Sequence, residues 1–224
     1  MSLSRRLSAE ALGSVMLTGT VIGSGILASR LSGGNDGIAL LGNTLATAAM
    51  LYVLIAALGP VSGAHFNPAV TLVMALRREI AWGAAAAYAV VQTIGCAAGA
   101  ALAHAMFELP LIQASAHARA GPAQVLSEGV ATFALVFAIL GVSRWRKESV
   151  PIAVALVIAA GYWWTASTSF ANPAITLARA LSDTFAGVRL EDAPGFVAGQ
   201  IAGALAALFA AHVLFGRESS ISPG

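Results

Sequence analysis

The sequence predicts an all-α integral membrane protein of six transmembrane helices plus two re-entrant half-helices, arranged as two inverted repeats. Three observations carry this reading. The chain is 58% hydrophobic and only 10% charged, with a mean hydropathy of +0.82, too apolar to cover a water-facing surface with polar groups. Six apolar runs, near 8–29, 38–59, 82–106, 124–143, 150–168 and 194–215, are each long enough to cross ~30 Å of hydrocarbon as a helix. A short motif also occurs twice, as SGAHFNPAVTL from Ser62 and as SFANPAITLAR from Ser169.

The first run follows Arg5 and Arg6 and carries Glu10 near its start. It shows no small-residue cleavage site after a short apolar core, so it reads as a retained helix and not a removed leader. The second run leads into the first motif. Asn is a good N-cap and Pro suits the first helical position, so Asn67-Pro68 and Asn172-Pro173 are helix starts. The residues from each Ala onward, AVTLVMALRR and AITLARALSD, make helices of about ten residues, roughly 15 Å or half a bilayer. The third and sixth runs hold Gly95 with Gly99 and Gly199 with Gly203, pairs one turn apart that let helices approach closely. The fourth run begins beside Glu128. The fifth ends at Tyr162, Trp163 and Trp164, an aromatic cluster expected to anchor at the interface.

The two halves are copies. Glu10 matches Glu128, and Gln92, Gly95, His104 and Phe107 match Gln200, Gly203, His212 and Phe215 at one constant offset. The repeats cover about 5–109 and 124–216 of a single domain spanning 1–224. Each contributes three spans, an odd number, so the second enters the membrane from the opposite side. Arg5, Arg6, Arg77, Arg78, Arg144, Arg146, Lys147 and Arg217 fall at one side and only Arg30, Arg119, Arg179 and Arg189 at the other, which places both termini in the cytoplasm. The half-helices then meet start to start near the midplane. Their positive dipole ends and the Asn67 and Asn172 amides favour a neutral solute with lone pairs and disfavour a cation or migrating proton.

Over its full length the chain resembles the aquaporin, or major intrinsic protein, family. The carriers are the two Asn-Pro-Ala motifs (Asn67, Pro68, Ala69 and Asn172, Pro173, Ala174), the paired Glu10 and Glu128, TFALVF at 132–137 and the Gln-x-x-Gly pairs. The resemblance implies the aquaporin fold, a right-handed bundle with one pore per subunit, and a homotetramer in membrane lipid. Most members place Arg directly after the second Asn-Pro-Ala; this chain has Ile175. Counting without gaps puts the other filter positions at Thr47, Ala160 and Ser169, a quartet wider and less basic than that of water-selective members. A one-residue shift in the fifth span brings Tyr162 or Gly161 toward the pore instead. The pattern with Ile175 looks like that of bacterial aquaporins found beside arsenic-resistance genes. That resemblance implies a bacterial inner membrane protein passing uncharged arsenous acid and methylated arsenicals, with glycerol and water.

Several residues carry two readings. Arg179, in the pore vestibule one turn beyond Ile175, pairs with Asp183 at i,i+4, attracts oxyanions, or leans inward to replace the missing filter charge. Glu10 and Glu128 accept from re-entrant-loop N–H groups or couple protons. His65 offers a backbone carbonyl to the pore or acts as a pH gate. His104 and His212 read as interfacial polar residues. The function expected is a passive channel for small uncharged solutes, with a water-selective channel or a proton-coupled secondary transporter as alternatives. Cys96 is alone, no metal-ligand spacing or catalytic motif is present, and the +2 charge is diffuse. Enzyme, cofactor-binding, metal-binding and nucleic-acid-binding readings are therefore not supported.

Overall fold

The computed structural model describes residues 1–216, and within them the chain is helical with no strand. Eight α-helices follow in order: α1 Leu3–Leu31, α2 Asp36–Ser62, α3 Pro68–Leu76, α4 Trp82–Met106, α5 Pro122–Trp145, α6 Val150–Trp164, α7 Pro173–Arg179 and α8 Ala193–Phe215. Arg217, counted above among the basic residues of one side, lies outside the described residues.

Five of the helices have the length and apolarity to cross a membrane. The fifth of the six expected spans is shorter than its apolar run. α6 has 15 residues, about 22 Å at 1.5 Å per residue, because the chain leaves the helix at Thr165 and turns inward. The half-helices are also shorter than ten residues, with nine in α3 and seven in α7.

Small residues set the main crossings, α1 on α4 and α5 on α8. A Cβ on Gly99 would lie 2.4 Å from the Val15 carbonyl oxygen, and one on Gly203 would lie 2.0 Å from that of Gly129. Only glycine permits backbones this close, which is how helices gain packing where lipid supplies no hydrophobic drive. Across the two repeats, α2 packs against α6. With six crossings, the start of α1 and the end of α8 share one end of the bundle, called here the terminal end. Trp163 and Trp164 are exposed at the opposite, far end, whereas their neighbour Tyr162 is buried.

Candidate pore and selectivity filter

The two re-entrant segments are built by the same bonds. Asn67 N-caps α3, its Oδ1 accepting from Ala69 N at 2.8 Å and Val70 N at 3.5 Å. Asn172 caps α7 through Ala174 N at 3.0 Å and Ile175 N at 3.3 Å. Each amide nitrogen then crosses to the other half, Asn67 Nδ2 donating to the Ala171 carbonyl at 2.7 Å and Asn172 Nδ2 to the Phe66 carbonyl at 2.8 Å. An NH2 group has two hydrogens, so each Asn keeps one donor beyond this cross-link. Pro68 and Pro173 occupy the first helical positions, where no N–H is needed.

The loops ahead of these caps hold strained backbone. Gly63, Ala64 and Phe66 have φ of 92°, 50° and 48°, and their repeat mates Thr168, Ser169 and Ala171 have 61°, 53° and 50°. Left-handed conformations at non-glycine residues cost of order 1–3 kcal/mol each and persist only where surroundings fix them. Glu10 and Glu128 supply that fixing. Glu10 accepts from Ser62 Oγ (2.6 Å), His65 N (3.0 Å), Phe66 N (2.7 Å) and Gln92 Nε2 (2.8 Å). Glu128 accepts from Phe170 N (2.8 Å), Ala171 N (2.8 Å) and Gln200 Nε2 (2.6 Å). Both carboxylates are fully buried, and neither lines the cavity described next. Thr71 and Thr176 complete the pattern, each bonding the glutamine of its own half and the carbonyl of its own motif Asn. Their signal was present in the sequence as a shared Thr four residues after each Asn.

A cavity of about 650 Å³ runs along the bundle axis. It extends from Glu79 and Glu148 at the terminal end, past His65, Asn67 and Asn172, to Ile175 and Arg179. The His65 side chain is braced by Thr71 Oγ1 at 3.1 Å and by the edge of Tyr88, 5.4 Å between centroids.

Thr47, Ser169 and Ile175 line the cavity, and Ala160 does not. Ala160 is exposed on the outside of α6. One helical turn separates the inward-facing Ile158 and Tyr162, and the gap-free count fell between them. Tyr162 takes the place assigned to Ala160, its hydroxyl 3.4 Å from Thr47 Oγ1. The ring fills more of the cavity there than an alanine would. Gly161 contributes differently: a Cβ there would lie 2.5 Å from Ser169 Oγ, so its absence lets the filter serine seat against α6.

Arg179 does not pair with Asp183. α7 ends at Arg179, so Asp183 is not one turn further along a helix, and its Oδ1 instead accepts from Ala116 N at 2.9 Å. Arg179 is buried, donates from Nε to the Ala186 carbonyl, and lies on the face of Phe170 with Cζ 3.4 Å from the ring centroid. Its two Nη groups have no hydrogen-bond partner among the described residues, and the residue lines the cavity. Arg119, from the connection between the repeats, stands 5.3 Å from the same ring and donates from Nε to the Gly187 carbonyl at 2.9 Å. Burial holds the Arg119 guanidinium below its ordinary pKa, against the opposite pull of Glu128 and Tyr162. Nothing in the repeat pattern could reveal Arg119, because the connection has no counterpart in it. His104, expected at an interface, is fully buried, with Nε2 2.8 Å from Ser182 Oγ.

Two half-helices capped toward one another across an axial cavity, inside a bundle of membrane-length helices, define a membrane pore of the six-span, two-half-helix type. The chain belongs to the major intrinsic protein family, whose model it matches over residues 1–148. It is 54% identical over 206 residues to aquaglyceroporin AqpS of Rhizobium meliloti, covering 92% of this chain and 88% of that protein. It is 29% identical to the probable aquaporin AqpM of Archaeoglobus fulgidus, over 92% of this chain and 95% of that one. It is also 32% identical to the glycerol uptake facilitator protein of Bacillus subtilis, over 58% and 53% of the two chains. Members of this family are channels and not enzymes, and the chain is a multi-pass membrane channel for small solutes.

Proposed function

We propose that the chain conducts small uncharged hydroxylated solutes passively, namely glycerol, water and metalloid acids such as arsenous acid and its methylated forms, in a bacterial inner membrane. In this reading both termini are cytoplasmic and the channel is a homotetramer. The observation that carries the solute class is the filter of Thr47, Tyr162, Ser169 and Ile175, with Arg179 one turn outward. Ile175 contributes neither donor nor charge where most family members resemble one another in having Arg. The free Nη groups of Arg179 supply planar donors just outside it. A hydroxylated solute is thus oriented by hydrogen bonds before it meets a largely apolar constriction. The names of the relatives support a glycerol-sized solute, since one is an aquaglyceroporin and another a glycerol uptake facilitator.

The test is stopped-flow light scattering on liposomes holding the full chain, challenged with water, glycerol or arsenous acid at neutral pH without an ion gradient. Rapid glycerol and arsenous acid entry is expected. Water entry alone would make Tyr162 the size limit and the channel water-selective.

A further inference from the structure

The two ends of the bundle are closed differently. The repeat pairs His104 with His212, Ser182 with Arg77 and Ile26 with Arg144. At the far end the histidine closes the gap between helices: His104 Nε2 meets Ser182 Oγ at 2.8 Å and Nδ1 meets the Leu111 carbonyl at 2.8 Å. At the terminal end the matching space stands open as a cavity of about 440 Å³ among the last turns of α3, α5 and α8. Arg77, Ser143, Arg144 and His212 line its polar side, and Leu140 and Leu208 its apolar side.

Basic residues in the last turn of a helix are expected from the helix dipole alone. That accounts for the residue types but not for their bonds. Arg144 Nε is buried and has no hydrogen-bond partner among the described residues, although burial of an unmet donor costs of order 1–3 kcal/mol. Its guanidinium carbon sits 5.1 Å from the Trp145 ring, which fixes its direction. Arg77 already donates from Nε to Glu79, leaving its Nη groups to the cavity. Beside the cavity α8 presents exposed Phe209, Val213 and Leu214, a surface suited to acyl chains.

We propose that this cavity binds the phosphate of an anionic lipid headgroup, with Arg144 and Arg77 as its donors and the lipid tails along α8. The chemistry matches the basic inter-helix pockets that hold anionic headgroups in the inner leaflet, and the basic residues of the chain concentrate at this end. A phosphodiester accepts from the guanidinium groups of Arg144 and Arg77 that line the cavity, and the apolar side of the cavity favours an amphiphile over a free ion.

The test is native mass spectrometry of the full chain titrated with phosphatidylglycerol, with phosphatidylcholine of the same acyl chains, and with inorganic phosphate. Phosphatidylglycerol is expected to bind more tightly than phosphatidylcholine. Arg144→Gln should weaken phosphatidylglycerol by about tenfold or more, the worth of one hydrogen bond to a charged group, and weaken phosphatidylcholine less, because its choline cation already offsets the charge of the same phosphodiester. Ala211→Leu, which fills the cavity and keeps every charge, should weaken both lipids. Arg146→Gln, an exposed neighbour that does not line the cavity, should have no effect. Equal effects of the Arg144 and Arg146 substitutions would overturn the site in favour of diffuse surface charge. Stronger binding of inorganic phosphate than of the lipid would overturn the lipid assignment. Thermal unfolding of each variant confirms that the binding compared is that of folded protein.

Discussion

Replacing Glu10 with Gln separates a structural carboxylate from a proton carrier. Glu10 takes four donors, two on each oxygen: Ser62 Oγ and His65 N on Oε1, Phe66 N and Gln92 Nε2 on Oε2. A carboxamide keeps one accepting oxygen and points N–H groups where the other stood. The Ser62 hydroxyl can rotate and the Gln92 amide can flip to accept, but the backbone N–H of either His65 or Phe66 is left facing a donor. Losing one hydrogen bond to a charged acceptor costs about 1.5–3 kcal/mol, and losing both on that side about twice as much. For a chain of this length the smaller range lowers the unfolding temperature by roughly 3–12 °C. The loop it releases is the one holding Phe66 at φ 48°. The measurement is thermal unfolding in detergent, paired with glycerol flux in liposomes with and without a proton gradient. Protein that remains folded should conduct alike in both. An unchanged unfolding temperature together with loss of gradient-driven flux would refute the structural role and restore the coupled-transporter reading. Glu128→Gln should behave similarly, since whichever oxygen becomes nitrogen strands Phe170 N or Ala171 N.

Further expectations concern the filter, the helix contacts and the outer loop. Ile175→Arg should lower glycerol entry by about tenfold or more, equivalent to ~1.4 kcal/mol of added barrier, with a smaller effect on water; stopped-flow rates for both decide it. Arg179→Met should keep water flux but flatten the preference for glycerol over 1,2-propanediol, because the planar donors at the mouth are gone; an unchanged ratio counts against their role. Gly203→Ala forces a Cβ to 2.0 Å from the Gly129 carbonyl and should destabilise by about 1–3 kcal/mol, whereas Gly83→Ala, with nothing within 4 Å, should not; thermal unfolding compares them. Asp192 is held below the usual aspartate range chiefly by hydrogen bonds from Arg189, with the Arg119 backbone N–H adding to it. A depressed carboxyl stabilises the fold above its unfolded-state pKa and loses that contribution as pH falls through its folded-state value. The unfolding temperatures of the parent chain and Arg189→Gln should therefore differ at neutral pH and converge in strong acid.

The parts of this architecture that were legible in the sequence follow from local rules. Asn-Pro starts a helix wherever it stands, so both half-helices were visible, and two symmetric glutamates in apolar runs could be matched to the loops they hold. The register of α6 was not legible for a physical reason. From Val150 to Ala160 every residue is apolar, and a helix that meets lipid on one side and an apolar pore wall on the other has no polar face to orient it. That is how Tyr162 was assigned to the interface and Ala160 to the filter. The Asp183 pairing failed because α7 stops at Arg179, which depends on the loop that follows and not on residue type. The left-handed residues Phe66 and Ala171 are likewise invisible, since glycine would announce such a conformation and these side chains do not.

The crossed bonds between the halves bear on how the protein is made. The Phe66 carbonyl waits for Asn172, and Asn67 waits for the Ala171 carbonyl. During synthesis the first loop is complete in sequence more than one hundred residues before its partner leaves the ribosome. In that interval its polar groups lack their final partners, and hydrocarbon would offer no substitute. The first half therefore reaches its final bonding only when the second arrives.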